Sequence, residues 1–293
     1  MVRDVGLAVR MYLTMFLLAV VYLGFLSLLY ALGFPVTTIM LIAGIMLFMQ
    51  YYFSDRLVLL ATGARIVSER EAPELYEIVR RLCQRANLPM PKIAIVDTPI
   101  PNAFATGRSP KSAVVAVTTG LLKTLNWEEI EAVLGHELSH IKHRDMAVMT
   151  IASFMATVAW FVARWAMFMG LFGGDDRDNS ALVGLALFLI SMIVWLICTL
   201  LMLALSRYRE FAADEGSALI TGNPKALISA LAKISGRMDL IPPEYKKEYE
   251  GMNAFFIYPA ISGETIASLF STHPPVEKRI ERLKRIAMEM GAW

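Results

Sequence analysis

Residues 135–146 read GHELSHIKHRDM, and three of the chain's four histidines, His136, His140 and His143, fall inside this stretch. Two of them frame Glu137 as H-E-x-x-H. The segment before it, NWEEIEAVL, starts a helix: Asn126 is placed as the cap, with Glu129 three residues on as its capping-box partner. Glu128, Glu129 and Glu131 favour the positive N-terminal end. On such a helix positions i and i+4 share a face, so His136 and His140 can address one metal ion. Glu137, next to His136, is then set to act on an attacking water instead of binding the metal, the pattern of a zinc hydrolase.

Composition places this motif in a membrane protein. Of the 293 residues 56% are hydrophobic and 18% charged, and the mean hydropathy is +0.52; soluble domains carry about a quarter charged residues. A net charge of +2 with no dense Lys/Arg cluster gives no basis for nucleic-acid binding. Cys83 and Cys198 have no metal-type spacing and read as two buried thiols, consistent with a reducing, cytosol-facing domain.

Four apolar runs, 8–32, 36–53, 147–172 and 181–205, are long enough to cross a bilayer, the second being the shortest. The first is too long for a signal-peptide core and reads as a retained span. The first two are joined by GFP and the last two by GGDDRDNS, so the spans form two hairpins. Arg3, Arg10, Arg56, Arg65, Arg70, Lys142, Arg144, Arg207 and Arg209 flank one side, and the opposite loops carry only Arg177. The positive-inside rule therefore puts both termini and the large polar segments in the cytoplasm. Arg164, inside the third span, is expected to face other helices or to snorkel. The chain divides into an N-terminal membrane hairpin (1–54), a catalytic region with the H-E-x-x-H helix (55–146), a second membrane hairpin (147–205) and a second catalytic region (206–293).

In the polar regions, EAPELYEIVRRLCQRANL has helical periodicity. KIAIVD and SAVVAV read as strands, and Ala103–Thr106 as a short edge strand between them. Residues 206–235 read as helix, 236–272 as irregular, and VEKRIERLKRIAME as a final amphipathic helix. The segment 236–272 suits a lid, a cleft wall or a lipid-facing loop.

A catalytic zinc site takes three protein donors and keeps one position open. Helix geometry argues against His143, since seven residues from His136 is about 10 Å along the axis. The second hairpin supplies a better donor in SRYREFAADEGSA (206–218). With the turn near residue 176, His140 lies 36 residues before it and Glu210 34 after it. In antiparallel helices those arms differ by about 3 Å, so Glu210 returns to the level of His140. Asp214, one turn further, is placed to accept the free N–H of a metal-binding histidine. A charged helix end at the headgroup boundary is the plainer explanation of both acids, and Glu215 and Asp145 are alternative donors.

Taken in order, PNAFATG (101–107), GHELSHIKHRD, the second hairpin, SRYREFAADEGSA and STHPP (271–275) resemble the HtpX-type family of membrane zinc proteases, relatives of the CAAX prenyl proteases. The resemblance covers nearly the whole chain. It implies a mainly α membrane protein of four transmembrane helices with a cytoplasmic, zincin-like α+β domain carrying a small sheet. It implies one zinc ion per chain on His136, His140 and Glu210, with Glu137 as general base. The activity implied is hydrolysis of misfolded or damaged membrane proteins in quality control. The resemblance also makes Asn102, Ala103 and Phe104 a substrate-binding edge, where a peptide adds as a strand. It brings His273 toward the site to stabilise an oxyanion. From the residues alone, Asn102 equally well stabilises a turn after Pro101, and His273 is a surface histidine on a rigid segment. Two other functions stay in view, a prenyl-protein protease and a non-enzymatic membrane adaptor with a vestigial site. Four spans leave little material for the chamber of the first, and an intact Glu137 argues against the second.

Overall fold

The structure is a computed structural model that describes residues 4–33, 35–172, 177–239 and 273–292. Its elements run α1 (Val5–Ala31), α2 (Val36–Thr62), β1 (Arg65–Ile66), α3 (Pro73–Ala86), β2 (Lys92–Val96), β3 (Ala103–Thr106), β4 (Val114–Thr118), α4 (Thr119–Thr124), α5 (Trp127–His143), α6 (Asp145–Phe172), α7 (Arg177–Thr221), α8 (Pro224–Asp239) and α9 (Val276–Glu289). The expected lid, cleft wall or loop lies almost wholly in 240–272, outside the described residues.

Residues Val9–Tyr51 and Val148–Leu205 form one compact unit. Val5–Ala31, Asp145–Phe168 and Leu182–Thr221 are long and apolar enough to cross a membrane. The pair Thr37–Phe53 and Asp55–Thr62, bent by 52°, makes a fourth if taken as one span. Inside the unit, Phe25, Leu29, Phe154, Val162 and Leu187 pack around Ala43, Ala159 and Ala166. Such small residues let helix backbones approach where lipid offers no hydrophobic drive. Gln50 Nε2 donates to Ser153 Oγ at 3.1 Å, a polar clasp between α2 and α6. Leu13, Phe16, Leu41, Phe48 and Leu185 face outward, as lipid contact demands. Arg164 is also exposed, so of its two expected placements it takes the outward one.

The second unit, Met1–Ala8 with Tyr52–Ala147 and Ser206–Trp293, holds the sheet. Strand order is β1-β2-β4-β3; β2 and β4 are parallel, and β1 and β3 are antiparallel edges. The Val/Ile runs of β2 and β4 suit central strands covered on both faces. On one face α3, α5 and α8 bury Leu82, Val115, Val117, Leu134, Leu138 and Leu227. On the other, Phe104, Val96 and Val114 meet Val58 and Leu59. This second contact explains why α2 continues past residue 53 to Thr62.

The capping box at α5 forms as the sequence predicts: Asn126 Oδ1 accepts from Glu129 N and Glu129 Oε2 accepts from Asn126 N, both at 2.9 Å. Glu129 also accepts from Ser229 Oγ and Lys233 Nζ, which ties α5 to α8. The stretch 206–235 is not one helix. α7 ends at Thr221, Gly222 turns left-handed at φ 73°, and Asn223 Oδ1 accepts from Ala226 N to start α8 at Pro224. A glycine past the end, an asparagine cap and a proline in the first turn are together a stop and restart.

Candidate metal centre

The i, i+4 spacing puts His136 and His140 on one face of α5. Small residues beside them let α7 come close. A Cβ at Gly216 of α7 would collide with Ser139 Oγ, and one at Gly135 would meet Thr221 Cγ2 at 2.9 Å. Ser217 Oγ donates to the Ala132 carbonyl at 2.6 Å across the same seam. The crossing delivers Glu210 to the histidines. The two Nε2 atoms are 3.1 Å apart. Glu210 Oε2 lies 3.7 Å from that of His136, and Oε1 3.4 Å from that of His140. One donor atom from each of the three residues lies within 4.8 Å of the others.

The environment of the rings says what belongs among these donors. His140 Nδ1 meets Asp145 Oδ2 at 2.7 Å, and His136 Nδ1 lies 3.0 Å from Asp214 Oδ1. With a carboxylate at each Nδ1 edge, the Nε2 lone pairs are left to face each other and Glu210. Electron-pair donors converging in a buried space repel unless a cation lies among them. Glu210 is buried, and each of its carboxylate oxygens faces one of these Nε2 atoms. Around a tetrahedral zinc with Zn–N bonds of about 2.0–2.1 Å, donor atoms sit roughly 3.3 Å apart, so the donor set fits that ion.

Arg279 of α9 closes the arrangement from behind. Its Nε and Nη2 donate to Asp214 at 2.9 and 2.6 Å, and Nη1 is 3.3 Å from Glu210 Oε2. The side chain is 2% exposed. Burial works against its charge, but Asp214 and Glu210 outweigh this and hold the guanidinium above its ordinary pKa. Burial lowers His136, against an opposing pull from Asp214. Burial also disfavours charge on His140, yet Glu210 leaves it raised. Glu137 is buried; desolvation, helped by Glu210 and opposed by His140, pushes its carboxyl up to about 7. The backbone N–H of Ala105 donates to that carboxylate.

The other residues singled out by sequence fall as follows. His143 is outside the converging donors, with Nδ1 3.3 Å from Ser139 Oγ; burial pushes it down to about 4. His273 is buried, and its Nδ1 is 3.0 Å from Glu210 Oε2. Asn102 is buried and its main chain is tied to Thr118: its N donates to Thr118 Oγ1 at 2.8 Å and its carbonyl accepts from Thr118 N at 2.9 Å. Alternation from that pair turns the polar groups of Phe104 and Thr106 toward β4, and those of Ala103 and Ala105 toward the open edge. The Phe104 ring packs on the sheet face away from α5, so in this strand the outward backbone, and not that ring, is what borders α5.

The roles of three residues were not legible in the sequence. Arg279 was hidden in an amphipathic helix. Its signal was position: Arg279, Leu283 and Ala287 share the buried stripe at i, i+4 and i+8. Asp145 read as an alternative donor and Arg209 as a membrane-flanking charge. Both are buried and pair with each other.

Residues 69–287 match the model of peptidase family M48. The chain is 56% identical over 289 residues to Protease HtpX homolog 2 of Methanosarcina acetivorans, covering 99% of this chain and 98% of that protein. It is 56% identical over 292 residues to the Protease HtpX homolog of Moorella thermoacetica, covering 98% and 96%. Among solved structures it is similar to Ste24p of S. mikatae, with TM-score 0.58 and 18% identity, covering 94% of this chain and 67% of that one. At that identity the likeness concerns the fold alone.

Proposed function

The chain belongs to peptidase family M48 and is a multi-pass membrane metallopeptidase, and on that premise we propose that it is a zinc endopeptidase whose active site faces the cytoplasm and whose substrates are misfolded or damaged membrane proteins. The observation that carries the reading is the meeting of His136 Nε2, His140 Nε2 and a Glu210 oxygen, with a carboxylate behind each ring. The two polar stretches, 55–146 and 206–293, together make the catalytic domain, and the two hairpins, 1–54 and 147–205, hold it at the bilayer. The excess of Lys and Arg on the polar flanks supports the cytoplasmic orientation.

Zinc in this site supplies a Lewis acid that lowers the pKa of water and polarises a scissile carbonyl. Glu137 takes the proton from the attacking water and delivers it to the leaving amine. A carboxyl pushed up toward neutrality suits a group that must both accept and release a proton. Asp214 and Asp145 fix the ring orientations. The substrate lies as an added strand along β3, on the outward groups of Ala103 and the outward carbonyl of Ala105, with Asn102 and Phe104 holding that edge in place. His273, beside Glu210, stabilises negative charge developing on the carbonyl oxygen.

Metal analysis of the purified protein beside Glu210→Ala and His143→Ala tests the donor set, with casein cleavage followed in parallel. Zinc is expected at one per chain in the wild type and in His143→Ala, and lost with activity from Glu210→Ala. Zinc kept by Glu210→Ala and lost from His143→Ala would reverse the assignment.

A further inference from the structure

Asp145 is the first residue of α6, and Arg209 lies in α7 immediately before Glu210. The Arg209 guanidinium pairs with Asp145, and its Nη2 donates to the carbonyl of His143, the last residue of α5, at 3.1 Å. The other Asp145 oxygen meets His140 Nδ1 at 2.7 Å. Arg209 is 5% and Asp145 6% exposed. Between His140 and Asp145 stands Arg144, in the left-handed conformation at φ 56°. That residue ends α5 and swings the next carboxylate back onto the histidine ring.

A cation needed only to bias membrane orientation would remain in water at the headgroups. Burying it is costly unless it is paired and hydrogen-bonded. Here the buried guanidinium ties the end of α5 and the start of α6 to the side of α7, at the edge of one imidazole. We propose that Arg209 and Asp145 are a positioning pair for His140: Asp145 holds the ring with Nε2 toward the metal, and Arg209 holds Asp145. The proposal rests on the reading that His136, His140 and Glu210 bind the metal. On it, α7 supplies a metal donor at residue 210 and the support of another donor at residue 209. Metal retention then depends on how closely the first turn of α6 stays against α7.

The test measures Zn²⁺ affinity of the full-length protein by chelator competition and the visible spectrum of the Co²⁺-substituted site. Melting curves of the metal-free proteins control for folding. Asp145→Asn and Arg209→Met are each expected to weaken zinc binding about 10–100-fold and to alter the Co²⁺ bands, with Arg209→Lys recovering part of the loss. The exchange Asp145→Arg/Arg209→Asp restores an ion pair but sets a cation against His140 Nδ1. It is expected to regain melting temperature over Arg209→Met without regaining affinity. Zinc affinity within about twofold of wild type in folded Asp145→Asn and Arg209→Met would overturn the proposal, as would an exchange that restores affinity; the twofold margin is well inside the effect of losing such a partner. If the wild type binds no zinc, or Glu210→Ala binds as tightly, the donor assignment fails instead.

Discussion

The two halves of the metal centre are assembled differently. His136, Glu137 and His140 come from α5, and Asp145 from the first position of α6, one residue past the turn that ends α5. Glu210, Asp214, His273 and Arg279 come from α7, the residue preceding STHPP's prolines and α9. In the α5 half, helix spacing sets the geometry of His136, Glu137 and His140, and its most buried acid, Glu137, has a carboxyl driven toward the neutral form. In the α7–α9 half, geometry depends on tertiary packing, and two carboxylates share a buried arginine. The α5 half carries the proton-transfer group, while the other half depends on charge pairing to exist at all. A change at Glu137 should therefore read out in rate, and changes in the second half in stability and metal retention.

The largest effect is expected from Glu137→Gln. General acid–base groups contribute about 10²–10⁴-fold to rate, and peptide cleavage should fall at least that far. Zinc content should remain that of the wild type, because Glu137 is not among the converging donors. Melting temperature should hold or rise, since a neutral amide replaces a carboxyl that burial disfavours in its charged form. Cleavage assays, metal analysis and thermal melts on one preparation check all three. Activity near the wild-type level would break the division of labour between the halves.

That division also governs what could be read from sequence. The α5 half was legible because each of its signals is local: a capping box, an i, i+4 histidine pair and a glutamate between them. From the residues alone, Glu210 was reachable only by counting along the membrane hairpin, which works because helix rise is constant. Arg279 was not found, since no spacing ties a residue of α9 to one of α7. A charged residue within an apolar stripe was its one trace. Gly222-Asn223-Pro224 did signal a break, which the apolar periodicity running through residues 206–235 concealed. The two-residue strand β1 pairs with Ala94 and Ile95 through backbone register, and two residues carry no periodicity to detect.

The next effect in size belongs to the distant half. Arg279→Met removes the guanidinium and leaves Asp214 and Glu210 as buried carboxylates without their shared cation. Breaking a buried ion pair from one side costs about 3–5 kcal/mol. The variant should melt well below wild type even after chelation, which separates this effect from metal loss. Its zinc affinity should fall as well, because Asp214 faces the ring of His136. An Arg279→Met protein with wild-type melting and a purely kinetic defect would show that both halves act on rate.

The seam between the halves gives the smallest effect and the sharpest comparison. Glycine inside a helix is disfavoured by about 1 kcal/mol relative to alanine, so Gly216 in the interior of α7 calls for a packing reason. Ser139 provides it, since a methyl group at 216 would overlap the serine side chain. Gly216→Ala should therefore destabilise, despite better helix propensity, by about 1–3 kcal/mol, the usual cost of overpacking. It should also weaken zinc binding, because Glu210 reaches the histidines through this crossing. Ser139→Gly in the Gly216→Ala background moves the small residue to the other helix. The double variant should regain melting temperature and zinc affinity together, apart from the roughly 1 kcal/mol that glycine costs in α5. Recovery of stability without zinc affinity would show that the seam holds the fold but does not set the reach of Glu210. Recovery of both would make helix approach at this crossing the link that joins a sequence-local half-site to a distant one.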